Sequence, residues 1–352
     1  MPSSVSVDLS SVALAVISDF YQRGKALPWR SNPPVPYHVW LSEIMLQQTR
    51  IEAVIPYFLR FIEKAPDIIS LASISEAELF KLWEGLGYYS RAANLQKTAK
   101  ILVQKHGGAL PRDYEALLSL PGIGLYTAGA ISSIAFGLPT PAVDGNVLRF
   151  LARLTLYEDN ILADKSKKYF TEMLKSVYLG KDVAALTQGL MEIGQYVCLP
   201  KNPRCELCPV ANHCLAYREK RTNALPVRLA KKTRKKEDLT VFLIYDRAER
   251  LALQKRPESG LLANLYGLPT TSGTLCEQEI SEALALYGIS RFELLWKTSA
   301  VHIFTHVEWH MTGYALRVEA LPSDQIGATK EELSSIYALP TAFKKLIPKE
   351  FL

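Results

Sequence analysis

No uninterrupted apolar run in this chain approaches the roughly 18 residues a membrane-spanning helix needs. A secretory signal is missing as well. The stretch from Val12 to Tyr21 has no basic region ahead of it and is broken by Ser18 and Asp19, so it reads as an amphipathic helix. Internal repeats and low-complexity tracts are absent, which excludes solenoid and fibrous architectures. Cysteine is scarce, with five among 352 residues, and that is too few for a disulfide scaffold. What remains is an ordinary soluble composition with a cytoplasmic location as the default. The net charge of +6 permits a polyanionic partner without demanding one. Single cores stop growing near roughly 250 residues, so two or three domains are expected.

Four of the five cysteines form one run, Cys198, Cys205, Cys208 and Cys214, with six, two and five residues between them. Short gaps stiffened by Pro203 and Pro209 allow the thiolates to converge on one metal centre. A disulfide pair is disfavoured in a reducing compartment. Zinc stays open as the rival. Its motifs usually pair two short clips, whereas one CxxC flanked by wider gaps better matches a [4Fe-4S] cluster.

From about residue 9 to residue 218 apolar residues recur at spacings of three and four between Pro and Gly breaks, and this predicts an almost wholly helical region. Arg228 to Lys236 then carries six basic residues and no acidic one and reads as a solvated linker. Leu239–Tyr245, Val301–Val307 and Trp309–Val318 are β-branched and aromatic runs, so the last third is expected to be a separate α+β domain.

Leu120 to Thr127 reads LPGIGLYT between two helical segments, one ending near Leu118 and the other running from Tyr126 to Phe136. Gly122 and Gly124 would let the backbone turn tightly and approach a ligand, with the next helix's amides free for an anion. That is a helix-hairpin-helix reading for duplex DNA backbone. A plain turn between helices is the alternative. One helix further on, PAVDGNVLR places Asp144 at a helix start. A second carboxylate, Glu43 in VWLSEIMLQQTR, has Val39, Trp40, Leu46 and Gln47 as helical neighbours. That mostly apolar setting would desolvate the acid and raise its pKa, which suits a general acid.

WLSEIMLQQT, EGLGYYSRA, LPGIGLYTAGA, VDGNVLR and the cysteine run, in this order, resemble the adenine DNA glycosylases of the MutY type, within the endonuclease III (helix-hairpin-helix) superfamily. The resemblance covers the helical two-thirds closely and the last third more loosely. It implies a mainly α region followed by an α+β MutT/Nudix-like domain. Residues 1–28 and 138–225 would form an iron-sulfur helical domain and 29–137 a six-helix barrel with the helix-hairpin-helix, leaving 226–238 as basic linker and 239–352 as the 8-oxoguanine recognition domain. The cofactor implied is a [4Fe-4S] cluster on Cys198, Cys205, Cys208 and Cys214. The partner is double-stranded DNA with A:8-oxoguanine or A:G mispairs, bound by a monomer that reaches the nucleoid only through DNA.

The same resemblance implies roles residue by residue. Glu43 would protonate the departing adenine at N7 and Asp144 would stabilise the oxocarbenium-like sugar or its adduct, with Tyr126 and Asn146 in support. Two carboxylates flanking a glycosidic bond must have pKa values pushed apart. Bifunctional relatives carry a lysine at the position of Tyr126, so a monofunctional enzyme is expected. Gln48 and Tyr88 would probe and wedge the stack, with Gln47, Thr49 and Leu86 lining that contact, and Trp29, Arg30 and Gln188 would form the adenine pocket. Phe304, Thr305 and His306 resemble the loop that reads 8-oxoguanine, with threonine where serine is usual. Gly273 to Ile289 offers Glu277, Glu279 and Glu282 but lacks the arginine and paired glutamates of a working Nudix hydrolase. Lys201 and Arg204 lie on the cysteine loops, which would brace a DNA-facing surface. Cys276 reads as a small buried hydrophobe. An endonuclease III-like enzyme for damaged pyrimidines and a non-catalytic iron-sulfur DNA-binding protein are the alternatives.

Overall fold

The computed structural model describes residues 7–229, 233–348 and 351. The chain divides into two compact units, one of Met1–Ser73 with Asn94–Ala230 and the other of Ile74–Ala93 with Lys231–Leu352.

Every regular element of the first unit among the described residues is helical, from Leu9–Arg23 to Leu215–Arg218. Aspartates set several of the starts. Asp8, Asp113, Asp144 and Asp182 each accept from amides of the first turn, satisfying donors that a helix leaves open. The Pro36–Leu46 helix instead begins with proline, whose missing N–H costs nothing there. It is buried on all sides from Tyr37 to Met45 apart from His38, so it runs through the interior and does not lie on the surface. The Leu125–Ala130 helix continues into a π turn at Ile131–Ala135, and the Val183–Glu192 helix into another at Ile193–Val197.

The core of this unit gathers Val12, Val16, Val147, Phe150, Leu151, Leu186 and Leu190 from three helices. Close approach depends on missing side chains. A Cβ on Gly189 would stand 2.8 Å from Val16 Cγ1, and one on Gly129 would stand 2.4 Å from the Pro141 carbonyl oxygen.

The second unit is built on a seven-stranded sheet: β1 Lys235–Tyr245, β2 Leu251–Lys255, β3 Tyr266–Gly267, β4 Thr270–Ser272, β5 Glu293–Ile303, β6 Val307–Arg317 and β7 Ile326–Ala328. The order is β3-β2-β1-β6-β5, with β4 paired to β1 and β7 to β2. β1 runs parallel to β6 from Lys235 opposite Val307 to Tyr245 opposite Arg317, while β5 and β6 are antiparallel. Alternation along β1 feeds two cores. Val241, Leu243 and Tyr245 pack with Trp309 and Phe343, whereas Phe242 and Ile244 pack with Ile280, Leu284 and Leu316. The α+β expectation for the last third is thus met.

Several boundaries differ from expectation. Lys235 and Lys236 belong to β1, since their pairing with Val307 and Glu308 extends the ladder past the apolar stretch. The basic linker therefore stops short of them, and its Ala230–Lys232 portion lies outside the described residues. The run Val301–Val307 is split: β5 begins at Glu293 and ends at Ile303, and the Phe304 amide closes a turn onto the Val307 carbonyl at 2.8 Å. Cys276 is exposed, not buried. It caps the Glu277–Ala285 helix, and its amide donates to Glu279 at 2.7 Å.

The contacts of Gly129 make a stability prediction. Gly129→Ala drives a methyl into backbone that cannot yield and should cost about 1–3 kcal/mol in urea titration. Gly124→Ser, at an extended helix cap with open space beyond it, should leave the urea midpoint unchanged or slightly higher.

Candidate active site

Glu43 projects from the buried Pro36–Leu46 helix and is only 6% exposed. Burial pushes its carboxyl up to about 7, opposed by a hydrogen bond from the Tyr126 hydroxyl and reinforced by the nearby negative charge of Asp144. That bond is 2.7 Å, to Oε2. The Tyr126 phenol is itself held well above its usual range, first by burial and then by the two carboxylates. Asp144 caps the Gly145–Leu154 helix: Oδ1 accepts from the amides of Asn146 at 2.9 Å and Val147 at 2.7 Å, and Oδ2 accepts from Asn146 Nδ2 at 2.8 Å. Burial raises Asp144 too, but all three donors oppose it, as does Arg149. The two acids therefore differ in kind. Glu43 sits in an apolar setting that favours its proton, and Asp144 is surrounded by groups that favour its charge.

Asn146 is fixed in turn. Arg149 Nη2 donates to its side-chain oxygen at 3.0 Å and to the Gly194 carbonyl at 2.6 Å, while Arg149 Nε reaches the Cys198 carbonyl at 2.7 Å. A Cβ on Gly194 would come within 2.6 Å of Asn146 Cβ, so this π turn can press against the site only with glycine there.

A cavity of about 480 Å³ opens beside Glu43, and Trp29, Arg30 and Gln188 line it together with Ser42, Leu46, Met191 and Glu192. Trp29 also packs edge-on against Phe58 at 5.4 Å, so one ring serves core and cavity. Arg30 Nη1 donates to the Lys25 carbonyl at 2.7 Å and to Glu192 Oε1 at 2.5 Å. Gln188 Nε2 donates to the Ala184 carbonyl of its own helix at 3.3 Å. Sequence reasoning missed Glu192. Its signal was available, since it stands four residues after Gln188 and hence on the same helix face.

Gln47 Nε2 lies 3.4 Å from Thr127 Oγ1, the Thr49 amide donates to Leu46, and Gln48 is exposed with φ 60°. Gly122 takes φ +77° and has Asn94 Cβ 2.8 Å from where its own Cβ would be, so glycine is required. Gly124 is extended at φ −95°, a conformation open to any residue. Leu86, Tyr88, Thr305 and His306 all fall in the second unit. Leu86 is buried and His306 exposed, and Tyr88, with φ 50°, places its hydroxyl 2.9 Å from Thr305 Oγ1.

The four thiols of the cysteine run line one small cavity with Phe150, Arg153 and Val197. Two short 3-10 turns, Cys205–Leu207 and Ala211–His213, set their spacing. The fully buried Arg153 pins the loops from inside, donating to the carbonyls of Leu199, Pro200 and Leu225 and lying 3.3 Å from Cys198 Sγ. Among the described residues no three metal-ligating side chains converge on a point for one ion. The four thiols that line this cavity are the residues that would hold a cluster. Burial raises the thiols of Cys205, Cys208 and Cys214, and a bound metal's positive charge would favour their thiolate forms.

Comparison with known proteins agrees with these features. Residues 41–176 match the HhH-GPD superfamily of base excision DNA repair proteins, 198–214 the iron-sulfur binding domain of endonuclease III, and 240–349 the NUDIX domain. The chain carries an iron-sulfur cluster on that basis. A thermostable thymine-DNA glycosylase shares the fold at TM-score 0.54 and 25% identity, over 59% of this chain and 96% of its own. An endonuclease III trapped as a covalent DNA intermediate does so at TM-score 0.52 and 24% identity, over 61% and 99%. The adenine DNA glycosylase of Buchnera aphidicola (subsp. Baizongia pistaciae) is 38% identical over 70% of this chain and 69% of its own length. That of Mus musculus is 32% identical over 96% and 78%. With the helical fold, the paired carboxylates and the cysteine cavity in place, the chain belongs to the adenine DNA glycosylase family.

Proposed function

We propose that the chain is a monofunctional glycosylase that flips adenine out of duplex DNA where it lies opposite 8-oxoguanine or guanine and hydrolyses its N-glycosidic bond. The observation that supports this most is Glu43, raised toward its protonated form at the wall of a cavity large enough for a purine, near an Asp144 whose oxygens accept three hydrogen bonds. Glu43 gives its proton to adenine N7 as the bond to the sugar breaks, so the base leaves neutral. Asp144 carries the charge that offsets the cationic sugar, and Asn146 keeps its carboxylate aimed. Water completes the abasic site, and the proton it releases restores Glu43. Tyr126 has no amine for a Schiff base, and its role is to orient the Glu43 carboxyl.

Trp29, Arg30 and Gln188 hold the flipped adenine. The backbone at Gly122 and Gly124 grips phosphate. Gln48 and Tyr88, with Gln47, Thr49 and Leu86 around them, fill the gap in the stack. Phe304, Thr305 and His306 read the opposite base. In this reading the domains run as 1–28 with 138–225, as 29–137, of which Ile74–Ala93 is compact with the sheet unit, and as a sheet domain that β1 opens at Lys235; the protein acts as a monomer on double-stranded DNA, and the cluster on Cys198, Cys205, Cys208 and Cys214 braces a DNA-facing surface. The NUDIX region reads a base without hydrolysing nucleotides, and Glu279 serves there as a helix cap.

Single-turnover cleavage of duplexes bearing A opposite 8-oxoguanine, G or C, and of one bearing thymine glycol, tests the assignment. A opposite 8-oxoguanine should react fastest, with strand scission only after alkali. Preference for thymine glycol, or alkali-free scission through a borohydride-trapped lysine adduct, overturns it. Glu43→Gln and Asp144→Asn should each slow excision by at least about a thousandfold while duplex affinity stays within about threefold, because phosphate contacts supply most of the binding. The wild-type rate should fall as pH rises through about 7, where Glu43 loses its proton.

The same group makes a stability prediction. A folded pKa raised from 4.5 to about 7 means the native state holds the proton more tightly than the unfolded chain, so its stabilising contribution is lost as pH rises across that window. Relative to wild type, Glu43→Gln should gain up to about 3 kcal/mol between pH 4.5 and 8 in urea titrations. A constant difference across that range would mean Glu43 is ionised at neutral pH.

A further inference from the structure

The segment Ile74–Ala93 is compact with the sheet unit and not with the helices on either side of it in sequence. Two charged side chains contribute to that attachment, beside the Glu76–Lys255 pair. Lys81 Nζ lies 2.6 Å from Glu84 Oε2 and donates to the carbonyls of Leu333 at 2.9 Å and Tyr337 at 3.4 Å, where the Lys330–Ser335 helix ends and exposes its carbonyls. Glu84 Oε1 accepts from the Leu339 amide at 3.0 Å and pairs with Lys344 Nζ at 2.7 Å. Lys81 and Glu84 are 19% and 14% exposed, so solvent screens this cluster less than a surface pair.

From Glu84 the chain enters a turn that holds three left-handed residues in four, Gly85, Gly87 and Tyr88, at φ 101°, 71° and 50°. The turn is held from inside. Trp83 Nε1 donates to the Gly87 carbonyl at 3.1 Å, and Arg91, stacked between Trp83 and Tyr88, donates to the carbonyls of Leu86 and Gly87. Tyr88 then meets Thr305 on the β5–β6 turn at 2.9 Å. The two ends of this arrangement lie on different parts of the same unit: the clasp on the C-terminal helices, and the Tyr88–Thr305 contact on the sheet.

We propose that Glu84, together with Lys81, is a specificity-determining positioning residue that clasps the Gly85–Tyr88 turn to the sheet domain, so that Tyr88 and Thr305 address the base opposite the target as one reading head. This rests on the roles proposed above for Tyr88 and Thr305. Neither Glu84 nor Lys81 lines the cavity beside Glu43. Loss of the clasp leaves the chemistry at Glu43 in place and loosens the registration of wedge and reader. Discrimination between 8-oxoguanine and guanine is therefore what it controls.

The test uses the full-length chain and four proteins: wild type, Glu84→Ala, Thr305→Ala and the double variant. Single-turnover rates and equilibrium binding are measured on A:8-oxoguanine and A:G duplexes, and hydrogen exchange on the free proteins. Glu84→Ala should lower the preference for 8-oxoguanine by about tenfold while the saturated rate on A:G stays within about twofold. The double variant should lose no more than the larger single loss. Deuterium uptake should rise together in residues 84–91 and 333–344 and stay unchanged in 36–46. Lys344→Met removes a partner of Glu84 from the other side and should shift preference and uptake in the same direction, which keeps the test usable if Glu84→Ala folds poorly. If Thr305→Ala loses the preference and both clasp variants keep it, the clasp is overturned and the base-reading assignment stands. If wild type shows no preference for 8-oxoguanine, that assignment fails, and hydrogen exchange still decides the clasp: unchanged uptake in 84–91 refutes it.

Discussion

Keeping a carboxylic acid protonated near neutral pH requires removing it from water, and the helical unit is arranged around doing this to Glu43. The Pro36–Leu46 helix is surrounded by the core, so the position that would be a solvated glutamate on a surface helix becomes a desolvated one. Burial alone would make the site an inert apolar pocket. Tyr126 prevents that, because its hydroxyl gives the carboxyl a fixed direction while only partly offsetting the burial. Asp144 feels the same burial but receives three hydrogen bonds at the start of its helix. Both carboxyls are raised by burial, but donors oppose that rise more fully at Asp144 than the single Tyr126 bond does at Glu43.

The Gly145–Leu154 helix ties this chemistry to the cysteine loops. Arg149 and Arg153 lie one turn apart on its buried face, and buried guanidinium groups are costly unless their N–H groups find acceptors. Here they find backbone carbonyls: Gly194 and Cys198 for Arg149, and Leu199, Pro200 and Leu225 for Arg153. Apart from Gly194, which lies in a π turn, those carbonyls belong to loops with little regular structure, which would otherwise carry unpaired polar groups. The arginines thus satisfy the loops, and the loops satisfy the arginines. Arg149 thus joins the Cys198 carbonyl to Asn146, whose side-chain amide donates to the Asp144 carboxylate.

What could be read from the sequence was local. The Gly122 turn, the aspartate at the start of the Gly145 helix and the apolar neighbours of Glu43 all lie within four residues of the feature they explain, and each has its expected geometry. Features joined across long stretches of chain were hidden. The Arg30–Glu192 pair spans 162 residues, the Tyr88–Thr305 contact 217 and the Lys81 bond to Leu333 252. No periodicity encodes such pairings, because they depend on which faces the tertiary fold brings together. β5 escaped for a different reason. It is an edge strand in which Lys297, Thr298 and Ser299 separate the short apolar stretch Leu294 to Trp296 from the one at its end, so it does not read as one continuous run. Cys276 was misjudged because residue type was weighed without position: it stands three places before Glu279, whose side chain caps its amide at an exposed helix start.

Gln48 and Tyr88, the two proposed wedge residues, share a property that sequence could not have supplied: both hold left-handed backbone without being glycine. Such conformations cost of order 1–3 kcal/mol and persist where the surroundings over-determine them. Around Tyr88 the surroundings are visible, with Trp83 and Arg91 binding the carbonyls of the turn and Thr305 meeting the phenol. A side chain that must enter a base stack during the short life of a flipped nucleotide gains from having its backbone set beforehand, since no ordering cost then falls on the encounter. The strain is therefore met by folding, where the burial of the Trp83 and Leu86 side chains can offset it.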